Sequence, residues 1–265
     1  MNILERIAAA FARSNAEANG SALHLSSATA EYHGDASTAS APTNGAPQTR
    51  VPSDSKAKEN KPMTILHLDS SPRGERSHSR QMTRALVDEL TRAMPEARTL
   101  YRDLGRNAPP LVNEQWIAGA YSDPSTHTDE MKAALSMSNE LVGELFAADV
   151  IVLGAPMYNL SIPAALKAYI DQVVRAGVTF SYPGYEGLVK GKKMFVLAAR
   201  GGSGYGSGEQ MEAMNFQDPY LKTIFGMIGI TDVTFIHDEK TLGGDSELPH
   251  SLEVARQAAH QVAAV

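Results

Sequence analysis

From Thr64 onward the chain alternates short apolar runs with amphipathic stretches, and nothing else in the sequence limits the fold so strongly. The runs at 64–68, 99–101, 150–153, 194–198 and 233–236 favour branched and aromatic residues and read as strands. Between and after them, 80–93, 129–147, 163–176, 218–227 and 252–264 read as helices. In the first of these, Met82, Leu86 and Leu90 fall in one stripe. A strand followed by a helix, repeated five times, gives a doubly wound five-stranded parallel sheet with helices on both faces. The run 150–153 is apolar throughout, as a strand covered on both sides must be. The stretch before 129, with its prolines, reads as an irregular connection. Ligands of such α/β sheets sit at the carboxyl ends of the strands, where the strand order reverses. The loops after strands one, three and four are therefore the ones to read for function.

The first 62 residues are different. From about Ser14 to Pro62 the chain is mostly Ser, Ala, Thr, Asn, Gly and Pro, a composition that buries too little apolar surface to offset its backbone entropy. It reads as a disordered extension, 1–62, before a catalytic domain at 63–265. Leu4, Ile7 and Phe11 share a face at helical spacing, so a short helix is expected there. The segment lacks the apolar centre of a secretory signal, and Glu5 and Glu17 speak against a transit peptide. A dispensable tail, or sequence upstream of a start at Met63, is the expectation.

Bulk properties exclude several classes of function. Cysteine is absent, which removes disulfides, thiolate zinc sites, iron–sulfur clusters and a cysteine nucleophile, and fits a reducing, cytoplasmic setting. The net charge of -6 argues against nucleic acid as a partner, because phosphate backbones require clustered Lys and Arg. No apolar run approaches the roughly 20 residues of a membrane helix. No metal site is expected.

Three loops carry the chemistry. The first runs from Ser70-Ser71-Pro72-Arg73 to Ser77-His78-Ser79 and enters a helix. It fits neither a dinucleotide fingerprint nor a triphosphate loop. Hydroxyls at a helix N-terminus suit one phosphate monoester, since free amides and the helix dipole favour an anion there. Ser77 or Ser79 as a plain N-cap is the competing reading. Arg73, Arg76 and Arg80 either neutralise a phosphate or point to water. The second loop, Gly154-Ala155-Pro156-Met157-Tyr158-Asn159-Leu160-Ser161-Ile162-Pro163, is stiffened by its prolines and can lie along a flat heterocycle, or simply connect. The third, Ala199-Arg200-Gly201-Gly202-Ser203-Gly204, lets backbone approach a ligand closely. Arg200 there would place positive charge near a reducible ring, unless it pairs with a carboxylate.

Taken in order, Ser70-Ser71, Ser77-His78-Ser79, Ala155-Pro156-Met157-Tyr158-Asn159, Arg175-Ala176-Gly177-Val178-Thr179-Phe180, Gly187-Leu188-Val189, Gly191-Lys192-Lys193, Arg200-Gly201-Gly202 and Ile228-Gly229-Ile230-Thr231-Asp232-Val233 resemble the FMN-dependent NADH-azoreductase family, also described as FMN-dependent NADH:quinone oxidoreductases. The resemblance covers the chain from Met63 on and implies a flavodoxin-like fold. It implies one FMN per subunit, NADH as electron donor, quinones and azo compounds as acceptors, and a homodimer. The phosphate would lie around Ser70, Ser77, His78 and Ser79, and the flavin ring along Met157, Tyr158, Asn159, Leu160, Ala199, Arg200, Gly201 and Gly202. Arg200 and Tyr182 are the candidate ring or substrate contacts, Tyr182 being offered to the partner subunit's site. Ala199 stands where the family commonly has Ser, and the phosphate loop is more basic than the family pattern. The chemistry this implies is ping-pong, with two electrons passing through the flavin and no side-chain nucleophile. His67 and His78 are weak candidates for a proton donor, because a His in such places is often structural. A flavodoxin-type electron carrier, or another NAD(P)H-dependent flavin reductase, is the competing assignment.

Overall fold

The structure, a computed structural model, describes residues 62–182, 184–243 and 246–263. The expectations of a helix near Leu4–Phe11 and of disorder up to residue 61 lie outside those residues. Five strands, β1 (Thr64–Asp69), β2 (Arg98–Asp103), β3 (Val150–Gly154), β4 (Lys193–Ala199) and β5 (Asp232–Asp238), form one parallel sheet in the order β2-β1-β3-β4-β5. Each expected strand is present, longer by one to three residues. The order reverses between β1 and β3, so a cleft opens where those two strands end.

Among the described residues there are six α-helices: α1 (His78–Ala93), α2 (Glu114–Ala120), α3 (Asp129–Ala147), α4 (Ala164–Val173), α5 (Asp218–Met227) and α6 (Leu248–Ala263). Alternation along each strand divides the core in two. Ile65, Val150, Val152, Phe195 and Leu197 pack with Met82, Leu86 and Leu90 of α1 and Ala255 and Ala259 of α6. Leu66, Leu68, Ile151, Leu153, Met194 and Val196 face the other way, onto Leu141 and Leu145 of α3, Leu166 and Tyr169 of α4, and Leu221 and Phe225 of α5. Strands buried on both faces explain why 150–153 carries no polar residue. The edge strand β2 is half exposed, with Arg98 open to solvent and Arg102 and Asp103 paired with Glu144 and Arg80.

Three elements depart from the sequence reading, the last helix by starting at Leu248 instead of 252. The connection before α3 contains α2, started by Asn113, whose side chain accepts from the Trp116 amide at 2.9 Å. The fourth helix ends at Val173, not 176, because Thr179 captures its end: the Thr179 hydroxyl donates to the Val173 carbonyl (2.8 Å) and accepts from the Arg175 amide (2.9 Å). No helix among the described residues is long and apolar enough to cross a membrane.

Candidate active site

A cleft of about 370 Å³ lies at the carboxyl ends of the strands, walled by Ser71, Arg73, Ser77 and His78 from the loop after β1. Pro156, Met157, Tyr158 and Asn159 follow β3, Ala199 and Gly201 follow β4, and Thr241 and Leu242 follow β5. Each wall has a local cause.

The first wall is built from behind. The Ser70 amide and hydroxyl both donate to the Gly154 carbonyl, at 3.1 and 2.7 Å, which fastens the loop to β3 across the switch point. Arg80 is buried, and its Nε and Nη2 donate to the Ser71 carbonyl at 2.9 and 2.6 Å while Nη1 donates to Asp103 at 2.9 Å. Buried Asp69 accepts from Thr83 (2.9 Å) and from the Tyr101 hydroxyl (3.2 Å). Burial, with the Asp69 carboxylate beside it, pushes the Tyr101 phenol up to about 12. Gly105 closes this packing, since a Cβ there would sit 2.3 Å from the Ser71 carbonyl oxygen. The loop is thus rigid before anything binds. Ser77 caps α1, its hydroxyl accepting from the Arg80 amide at 3.4 Å, and helix geometry leaves the His78 and Ser79 amides without intrahelical acceptors.

The second wall continues the parallel ladder: the Ala155 amide donates to Leu197 (3.0 Å) and the Met157 amide to Ala199 (2.8 Å). It then reverses through Tyr158-Asn159-Leu160-Ser161, whose end residues exchange hydrogen bonds at 2.9 and 3.0 Å. Both middle residues are left-handed, Asn159 at φ 49° and Leu160 at φ 70°, the geometry of a type I′ turn. Asn tolerates it; Leu carries a strain of about 1 kcal/mol or more.

The third wall hangs on a buried charge cluster. Arg200, 1 % exposed, is ion-paired with Asp218 and with Glu239 (3.4 Å), donates to Gln217 (3.2 Å), and lies 5.5 Å from the Tyr205 ring centre. Gln217 in turn donates to the Ala155 carbonyl at 2.9 Å, which joins the second and third walls. Burial pushes the Asp218 carboxyl up, but hydrogen bonds and charge from His237 and Arg200 outweigh it and hold the group at about 2. The loop after β5 is laid over this wall by hydrogen bonds from the Lys240 amide to the Gly202 carbonyl and from the Thr241 amide to the Arg200 carbonyl. A Cβ on Gly201 would lie 2.6 Å from Leu242 Cδ1.

Of the expected cofactor residues, Ser77, His78, Met157, Tyr158, Asn159, Ala199 and Gly201 line the cleft together. Ser70, Ser79, Leu160, Arg200 and Gly202 do not. Ser70 and Ser79 are fully buried, Leu160 faces the Phe216 amide through its carbonyl (3.1 Å), and the Arg200 guanidinium is enclosed by its carboxylates instead of reaching the cleft. Arg80 likewise braces the loop from within. Tyr182 stands outside the cleft, 68 % exposed, edge-on to Tyr185 at 6.0 Å, while Tyr185 stacks on Phe180 at 5.8 Å. His67 lies on β1 against Tyr101, with Nε2 3.4 Å from Asp69, and does not reach the cleft. Ser71, Pro156, Thr241 and Leu242 are additions; Ser71 and Pro156 sat inside the quoted motifs, whereas nothing in the sequence marked the loop after β5. Among the described residues no cluster of three or more His, Asp or Glu is placed to hold a metal.

An apolar slot with a hydroxyl-lined helix end at one side has the shape requirements of a mononucleotide carrying a flat ring. Residues 63–263 match the family model for the flavodoxin-like fold. The chain belongs to that family. It is 49% identical over 202 residues, 76% of its length and 95% of the relative's, to an FMN-dependent NADH:quinone oxidoreductase of Trichormus variabilis. An FMN-dependent NADH:quinone oxidoreductase of Nostoc punctiforme is 50% identical over 74% of this chain and 96% of its own. Among solved structures, an azoreductase of Bacillus anthracis superposes with a TM-score of 0.66 at 26% identity, over 76% of this chain and 98% of that one.

Proposed function

We propose that this family member binds FMN in the cleft and uses it to reduce quinones and azo compounds with electrons from NADH. The observation that carries the reading is the convergence of three rigid loops, from β1, β3 and β4, on one cleft at the switch point, with a helix N-terminus at its polar end. The relatives' names supply the reaction class, and the cleft is where it fits.

In this reading Ser71, Ser77, His78 and the first amides of α1 hold the phosphate, with Arg73 beside them. Met157, Tyr158 and Asn159, with Ala199 and Gly201, lie along the ring. Bound FMN supplies two-electron transfer between a nicotinamide and a quinone or azo bond. The protein contributes orientation: the bonded loops fix the plane of the slot, and Pro156 and the left-handed turn keep Tyr158 at its rim. A homodimer completes the site, and exposed Tyr182 and Tyr185, backed by buried Phe180, form the surface we assign to it. The catalytic unit is 63–265, working in the cytoplasm where NADH is supplied. Anaerobic stopped-flow tests this: the yellow protein should bleach with NADH and recover its colour on adding a quinone. A colourless protein that added FMN cannot reconstitute overturns the reading.

A further inference from the structure

His78 is the first residue of α1 and lines the cleft, yet its ring is held from the far side of the sheet. Its Nδ1 lies 2.6 Å from the carboxylate of Asp238, the last residue of β5. Asp238 is fully buried. Its second oxygen accepts from the Ser246 hydroxyl at 2.9 Å, and that hydroxyl is also 3.3 Å from His78 Nδ1. The Asp238 carbonyl takes the Arg200 amide at 2.8 Å, so one residue ties the phosphate loop to the wall after β4. In the sheet, β1 and β5 are separated by two strands; the contact exists because α1 and α6 pack side by side on one face and bring the start of α1 over the end of β5.

We propose that Asp238 and Ser246 are positioning residues that aim His78 at the cofactor's phosphate, so that this chain selects FMN over flavins lacking a phosphate through a histidine–carboxylate pair. The inference rests on the flavin reading above. A carboxylate can only accept, so Nδ1 must donate to Asp238. That fixes the ring plane, as a carboxylate behind a metal-bound or catalytic His does. Nε2 then has no hydrogen bond among the described residues, on a ring that lines the cleft beside Ser77. A phosphate also only accepts, so Nε2 donates to it in the imidazolium form, in which both ring nitrogens carry a proton and the ring bridges the carboxylate and the phosphate. Burying a carboxylate at the end of β5 is costly unless its bonds are made, and His78 with Ser246 makes them.

The test compares two ligands, FMN and riboflavin, which share the ring and differ in the phosphate. Their affinities are measured by flavin fluorescence quenching on the full-length chain stripped of flavin. His78→Ala should weaken FMN about tenfold, the size of one charge-assisted hydrogen bond, and leave riboflavin unchanged. His78→Gln, which keeps one donor, should recover part of the loss. Asp238→Asn should weaken FMN several-fold when His78 is present and hardly at all in the His78→Ala background; Ser246→Ala gives the same pattern more weakly if Asp238→Asn does not fold. Equal losses for FMN and riboflavin, or additive effects of the two substitutions, would overturn the proposal. So would an unchanged affinity ratio accompanied by slower quinone reduction, which would make His78 a proton donor. A wild-type chain that binds neither flavin would remove the flavin reading itself.

Discussion

At the residue scale, Arg200 shows how far a motif can be read. Its neighbours Gly201 and Gly202 announce close backbone approach, and its placement after a buried strand was visible in the sequence. Its partners were not: Asp218, Glu239 and Gln217 lie 17 to 39 positions away, and only the packing of α5 and the end of β5 brings them in. We expect Arg200→Ala to destabilise the fold by about 3–5 kcal/mol, as breaking a buried ion pair does, and to loosen FMN through the displaced glycines. A urea-denaturation midpoint that stays put would refute this. Arg200→Lys should recover only part, because a compact ammonium lacks the planar fork that spans the three acceptors. The same cluster predicts an acid limb. Asp218 sits at about 2 in the fold against its ordinary 3.8, so its ion-paired state stabilises the protein fully above the unfolded value. That contribution, about 2 kcal/mol, is lost as pH falls through 3.8 toward 2. Replacing Asp218 by Asn should flatten the stability curve in that window, checked by denaturation at stepped pH.

At the scale of elements, strands and long helices were legible because their apolar periodicity is strong, and short ones were not. The α2 helix has seven residues, and what holds it is tertiary: the Trp116 indole donates to Gln172 at 2.8 Å, Gln172 donates to the Pro110 carbonyl at 2.8 Å, and Arg175 lies 5.9 Å from the Trp116 ring centre. No window of sequence contains that arrangement. Trp116 is the chain's single tryptophan, which makes the element easy to follow. Gln172→Leu leaves the indole N–H and the Pro110 carbonyl unpaired at a buried site, a cost of about 1–3 kcal/mol. The native emission of Trp116 should shift to the red as α2 loosens; an unmoved spectrum with unchanged stability would show the brace to be dispensable. The loop after β5 was illegible for another reason. Thr241 and Leu242 reach the cleft only through backbone bonds to Arg200, Gly201 and Gly202, which leave no mark on side-chain pattern.

At the scale of the whole molecule, removing residues 1–62 should leave thermal stability and quinone turnover unaltered, since the family match begins at residue 63. Lost turnover in the shortened chain would give the extension a role in the reaction. Association is the other global property. Tyr182 and Tyr185 are 68 % and 63 % exposed, and if the proposed dimer forms through them a double change to Ser should shift the mass measured by light scattering from dimer to monomer. The sheet itself offers a second, unwanted way for copies to meet. Its β2 margin has unfilled amides and carbonyls, the template on which a foreign strand would grow. Exposed Arg98 sits at the start of that margin, so a strand arriving in register would have to strip water from its charge. A charge at the start of the rim thereby opposes fibre growth along it.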